Sequence, residues 1–273
     1  MGSIAAALCL SMAPLLLCAC GTQTPAPAPA ATPAPTVTAA PIPEPTPEPK
    51  PEPTPEASPE PTPEPFRRRS GVAEDGSFDA GALFIGDSHT YYLLQYLIAT
   101  EKIGQARYMA ICGMSMPHFF DAENMPLGDG FSVSNVSACS KEFIGLSYGE
   151  AVAAAGEGAG AVYYMLGTNF SNEASTEDYL ALGRYILEQC PNATLYLQTI
   201  PYSPMVDWGR VNDCIREAVG ILEAEAPERV VLVDTHSAIP RSELLDDSIH
   251  YSYYAMEPWY DCLSAAAIAA AGN

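Results

Sequence analysis

Positive charge is scarce in this chain. Twelve Lys and Arg stand against 33 Asp and Glu, for a formal net charge of -21. A body this acidic repels polyanions, so nucleic acid and anionic lipid headgroups are not expected partners. Metal-ligand spacing is missing as well. The chain has no CxxC pair and no HExxH, so no metal is expected. There is no Gly-x-Gly-x-x-Gly loop to cradle phosphates, and no cofactor is expected. Cysteine is sparse. Beyond residue 73 only Cys112, Cys139, Cys190, Cys214 and Cys262 occur. An odd number leaves buried thiols and one or two disulfides equally open.

The first 65 residues are unlike the rest. Residues 1–19 are apolar and small, and their apolar core is short for a membrane span. They read as an export signal, although no Lys or Arg precedes the apolar run. Leu17-Cys18-Ala19-Cys20-Gly21 resembles a bacterial lipoprotein cleavage box. On that resemblance Cys20 becomes the first mature residue and carries lipid, a membrane anchor without a span. A plain secretory signal or an uncleaved anchor is the alternative. Residues 20–73 then form the lipid-attachment point and a stalk. Its repeated Pro-Glu-Pro-Thr cannot build helix or sheet ladders, because Pro fixes φ and lacks an amide donor. About 40 such residues, extended at roughly 3.1 Å each, span on the order of 100 Å. Arg67-Arg68-Arg69 read as the solvated end of this linker. The expected location is a bacterial cell surface.

Residues 74–273 form the folded domain, long enough for one sizeable core. Five near-continuous apolar runs read as strands: ALFIGD, RYMAIC, GAVYYML, TLYLQTI and RVVLVD. Such runs suit parallel strands covered on both faces. Helical patterns lie between most of them. Leu93, Leu94, Leu97 and Ile98 share one face; so do Tyr179, Gly183, Ile186 and Cys190, and so do Val211, Ile215, Val219 and Leu222. A last helix is expected from Pro258 to Ala271. The expected fold is α/β, a three-layer α/β/α sandwich with a five-stranded parallel sheet.

In such sheets ligands bind beyond the carboxyl ends of the strands. After the first strand comes Gly86-Asp87-Ser88-His89, and after the second Cys112-Gly113-Met114-Ser115. After the third comes Gly167-Thr168-Asn169. After the fifth, past a loop, comes Asp246-Asp247-Ser248-Ile249-His250. Taken singly, Ser88 is a helix cap and Asn169 a turn residue.

Together, these four blocks resemble the SGNH, or GDSL-type, hydrolase superfamily, named for a Ser, Gly, Asn and His carried in this order. The resemblance covers most of residues 80–270 and implies a flavodoxin-like SGNH hydrolase fold. It implies Ser88 as nucleophile, with His250 and Asp247 completing a triad. It also implies Ser88, Gly113 and Asn169 as an oxyanion hole. Two positions depart from the usual pattern, Phe170 after the Asn and His89 after the Ser. The chemistry agrees: a Ser hydroxyl needs an adjacent base, and a carboxylate can orient that base. Asp246 competes with Asp247 for the histidine, and the spacing favours Asp247. His89 and Tyr251 are candidate substrate contacts. The expected activity is a metal-free serine esterase acting on O-acyl, foremost O-acetyl, groups of a small molecule or glycan. Lipase or lysophospholipase activity, O-acyl transfer and a non-catalytic glycan- or protein-binding domain are the alternatives. Oligomeric state is not legible.

Overall fold

The computed structural model describes residues 66–128, 136–170 and 173–272. The chain divides into two units, Met1–Glu60 and Pro61–Asn273. The signal, Cys20 and the Pro-rich stretch lie outside the described residues. The second unit holds the folded domain.

Six strands form one sheet: β1 (Ala82–Gly86), β2 (Arg107–Ile111), β3 (Ser137–Cys139), β4 (Ala161–Met165), β5 (Thr194–Gln198) and β6 (Val230–Val233). Their spatial order is β3-β2-β1-β4-β5-β6. The five expected strands are all present and pair in parallel. The sixth, β3, was not expected. It adds antiparallel to β2 through Met109↔Cys139 and Ala110↔Ala138. The sheet is therefore mixed rather than purely parallel.

Among the described residues six α-helices accompany the strands: α1 (Ser88–Ala99), α2 (Tyr148–Ala155), α3 (Thr176–Gln189), α4 (Gly209–Glu225), α5 (Thr235–Ala238) and α6 (Met256–Ala271). Strand alternation splits the interior into two cores. Leu83 and Ile85 face a core with Val152 of α2, Ile186 of α3 and Ile215 of α4. Ala82 and Phe84 face the other, with Leu94 of α1 and Trp259 of α6. This is the three-layer α/β/α sandwich. Within the second core, Phe84, Tyr163 and Tyr196 occupy paired positions on β1, β4 and β5. Their rings stack at 4.9 and 5.0 Å between centroids.

Those tyrosines carry hydroxyls into an apolar layer, where each needs a partner. The chain just before the first strand supplies them. Tyr196 Oη donates to the Arg69 carbonyl at 2.8 Å, and Tyr163 Oη donates to the Ser70 carbonyl. The Arg69 amide donates to Thr194 Oγ1 at 2.9 Å, and Arg68 Nε to the Glu228 carbonyl at 3.0 Å. Residues 66–73 thus pack with the domain: the Arg68 side chain and the Arg69 backbone are docked on it, against the expectation of a solvated linker end, while the Arg69 side chain is exposed. Gly71 lies against Ala82 and Ala161, and Arg69 against Thr194, the first residues of β1, β4 and β5. The chain enters at the amino-terminal end of the sheet.

Gly86 ends β1 and has no room for a side chain. A Cβ there would lie 1.8 Å from Thr90 Oγ1 and 2.8 Å from the Met165 carbonyl oxygen. The helix can sit this close to the strand ends only over a glycine. Gly86→Ala is therefore expected to lower unfolding stability by about 2–3 kcal/mol. Urea unfolding measures this, and an unchanged midpoint would refute the close-packing argument.

Candidate active site

The four blocks meet at the carboxyl end of the sheet. Ser88 is the first residue of α1, directly after the β1 turn. Asp87 caps the helix by accepting the His89 amide at 3.0 Å. Its other oxygen accepts the Thr168 hydroxyl. Asp87 is fully buried, so both of its oxygens have donors where water is excluded.

Asp247 organises its own loop. Its Oδ1 accepts the amides of Ile249 and His250, each at 2.9 Å, an Asx-type turn. Ser248 between them takes a left-handed φ of 61°. Asp247 Oδ2 then accepts His250 Nδ1 at 2.7 Å. With Nδ1 donating, Nε2 keeps its lone pair, and it lies 2.8 Å from Ser88 Oγ. Ser88, His250 and Asp247 thus form one continuous chain of hydrogen bonds. Asp246 is exposed and makes no hydrogen bond to the ring. Slight burial raises the Asp247 pKa. The hydrogen bond from His250 and the two amides outweigh it and hold the carboxyl down at about 2.

Ser88 and His250 open into a cleft of about 340 Å³ with Tyr92, Gly113, Asn169 and Ile249 on its walls. As the first residue of α1, Ser88 has a main-chain amide without an intrahelical acceptor. Gly113 has φ of +84°, and a Cβ on it would meet nothing within 4 Å. Its conformation favours glycine, and its open side faces free space in the cleft. The Asn169 Nδ2 group donates to the Met114 carbonyl at 3.0 Å and to Thr168 Oγ1 at 3.3 Å. Cys112 also lines the cleft, but burial, with Asp87 nearby, pushes its thiol up to about 11, which disfavours it as a nucleophile.

No protein-family model matches the chain, and no curated protein matches it. Solved structures do. A carbohydrate esterase family 3 protein from Talaromyces cellulolyticus aligns at 15% identity over 70% of this chain and 97% of that one, with a TM-score of 0.47. A Clostridium thermocellum family 3 carbohydrate esterase aligns at 14% over 70% and 96%, with a TM-score of 0.48. The C-terminal catalytic domain of Streptococcus pneumoniae peptidoglycan O-acetyltransferase A aligns at 14% over 70% and 94%, with a TM-score of 0.45.

Two sequence-derived candidates fall outside the cleft. His89 is 3% exposed and does not contact substrate space. It turns inward, and its Nε2 donates to the Ile249 carbonyl at 3.0 Å. It thereby ties α1 to the loop that carries His250. Tyr251 is 2% exposed, and its hydroxyl donates to the Tyr202 carbonyl. Both correct the expected substrate contacts: each side chain is buried and gives a hydrogen bond to a backbone carbonyl, and the other ring nitrogen of His89, Nδ1, lies 3.5 Å from Asp87 Oδ1. The other histidines stand apart from this hydrogen-bond chain. His118 Nδ1 bonds Ser115 Oγ at 2.8 Å, and His236 Nδ1 lies 2.9 Å from the Ile200 carbonyl.

Other cleft residues were missed. Tyr92 packs edge-on against the His250 ring at 5.2 Å. Its position was legible, because residue i+4 of a helix shares a face with residue i. Val206 and Trp208 lie in a loop without periodicity and gave no such signal. Among the described residues, no group of three or more His, Cys, Asp and Glu is placed to hold a metal ion. All five cysteines there are free thiols. No described helix is long and apolar enough to cross a membrane.

The lowered pKa of Asp247 has a consequence for stability. A carboxyl depressed in the folded state stabilises the fold above its unfolded pKa of about 3.9 and loses that effect as pH falls through about 2. The native protein should exceed Asp247→Asn in stability at pH 5, with the gap closing toward pH 2. Denaturant titrations at the two pH values test this; a gap independent of pH would contradict it.

Proposed function

We propose that this protein is a serine esterase that hydrolyses O-acyl esters, foremost O-acetyl groups on carbohydrate, by SGNH-type chemistry. One observation carries the reading: the Ser88–His250–Asp247 hydrogen-bond chain opens into a cleft that also presents Gly113 and Asn169. A binding module has no need of that relay.

In the proposed mechanism Ser88 Oγ attacks the ester carbonyl while His250 Nε2 takes its proton. Asp247 holds the ring and stabilises the imidazolium. The carbonyl oxygen becomes an oxyanion, received by the main-chain amides of Ser88 and Gly113. Asn169 joins them by giving up its longer bond, the one to Thr168. His250 returns the proton to the leaving alcohol, the acyl group stays on Ser88, and water repeats the sequence to release the acid. The cleft lies at the small end of ligand pockets, which favours short acyl groups over lipid chains. In this reading Cys20 carries a lipid, and the Pro-Glu stalk holds the enzyme off a bacterial membrane at the cell surface. The sequence alone supports that part.

A fluorophosphonate probe should label the native protein once and fail on Ser88→Ala. Folded native protein that resists labelling would sink the esterase reading. Asn169→Ala should lower kcat for acetate release by about 100-fold, the effect of losing one preorganised oxyanion donor worth about 3 kcal/mol. Binding of substrate should change far less. A loss confined to KM would remove Asn169 from the oxyanion hole.

A further inference from the structure

A second cleft, of about 380 Å³, adjoins the first. Its lining includes Tyr202, Asp207, His236 and Arg241, and it shares Val206 and Trp208 with the cleft of Ser88. The two are therefore neighbours along one loop, residues 202–208. That loop is fastened on both sides of the catalytic histidine. Ser203 Oγ donates to the Ser248 carbonyl at 2.6 Å, and the Tyr251 hydroxyl donates to the Tyr202 carbonyl. The second cleft is thus held in fixed relation to His250.

Its chemistry is unusual for so acidic a protein. Several of the other cations are engaged within the protein. Arg68, Lys102, Arg184 and Arg216 pair with carboxylates, and Arg229 bonds three carbonyls. Arg241 does neither. Its guanidinium lies 3.9 Å from the centroid of the Tyr202 ring, and it has no hydrogen bond or ion pair among the described residues. Stacking fixes the plane of the group and leaves its edge donors free, the arrangement that suits bidentate capture of an oxyanion. Asp207 is the one carboxylate in the cleft. Its Oδ1 already accepts the Gly209 amide at 2.9 Å, at the start of α4, where the helix dipole offsets its charge. The Nδ1 atom of His236 faces the Ile200 carbonyl and Asn212, which leaves Nε2 as its free polar atom.

We infer that this second cleft is a subsite for an anionic group, a carboxylate or a phosphate, carried on the acylated substrate next to the ester. Arg241 is its main ligand. The inference rests on the esterase reading and narrows its substrate class from glycan esters in general to those of acidic glycans. It also places a positive group beside the cleft of Ser88 in a chain whose net charge of -21 opposes such substrates.

Three acetylated methyl glycosides test it: the glucuronic acid, its neutral uronamide and the glucose 6-phosphate. Acetate release is followed with the native protein and with Arg241→Gln. The native protein should prefer one or both anions over the amide by about tenfold in kcat/KM, mostly through KM. Whichever anion is preferred identifies the source. Arg241→Gln should bring the ratio close to one. A native ratio of one or less, or a preference that survives the substitution, overturns the subsite. Failure of the esterase reading is seen separately, as no acetate release and no fluorophosphonate labelling. In that event ligand-observed NMR with the unacetylated glucuronoside and sugar phosphate still decides. Binding lost in Arg241→Gln supports the subsite, and no binding to the native protein overturns it.

Discussion

The site depends on the buried carboxyl group of Asp87. It is fully enclosed, and each of its oxygens has one donor from a different part of the fold. The first is the His89 amide, which starts α1 and so sets the orientation of Ser88. The second is the Thr168 hydroxyl, which fixes the end of β4 beside Asn169. A buried polar group left without partners is costly, so both contacts must form together. Ser88 and Asn169 are thereby held against each other through a residue that is itself fully buried.

The loops around the cleft include uncommon backbone. Gly113, Gly167 and Ser248 have φ of 84°, 126° and 61°, and each precedes or joins a group that faces the cleft. Ser248 is the costly case, since a side chain disfavours that region. Its carbonyl accepts the Ser203 hydroxyl, and the amides of Ile249 and His250 after it donate to Asp247. The loop's shape is held by hydrogen bonds on both flanks, so His250 keeps its direction without being buried.

Much of the domain was legible because its chemistry sits in runs. Five strands were visible as unbroken apolar stretches, and the site blocks followed from where those stretches end. Three kinds of feature were not legible. The edge strand Ser137–Cys139 is three small residues, held by backbone pairing that no hydrophobic period reports. The direction of a side chain is also hidden: His89 is adjacent to Ser88 in sequence, yet the turn of the helix sends it inward. Long-range demand is hidden too. Nothing in Arg69-Ser70 reveals that two tyrosine hydroxyls more than 90 residues away require their carbonyls.

That last contact fixes a polarity in the domain. The chain arrives beside the first residues of β1, β4 and β5, and Ser88 lies beyond the last residue of β1. The length of the parallel strands therefore stands between the point of arrival and the Ser88 hydroxyl. A pull on residues 66–73 is borne by the tyrosine hydroxyls and the sheet, not by the loops that aim His250. The domain can be held from behind while its working end stays clear.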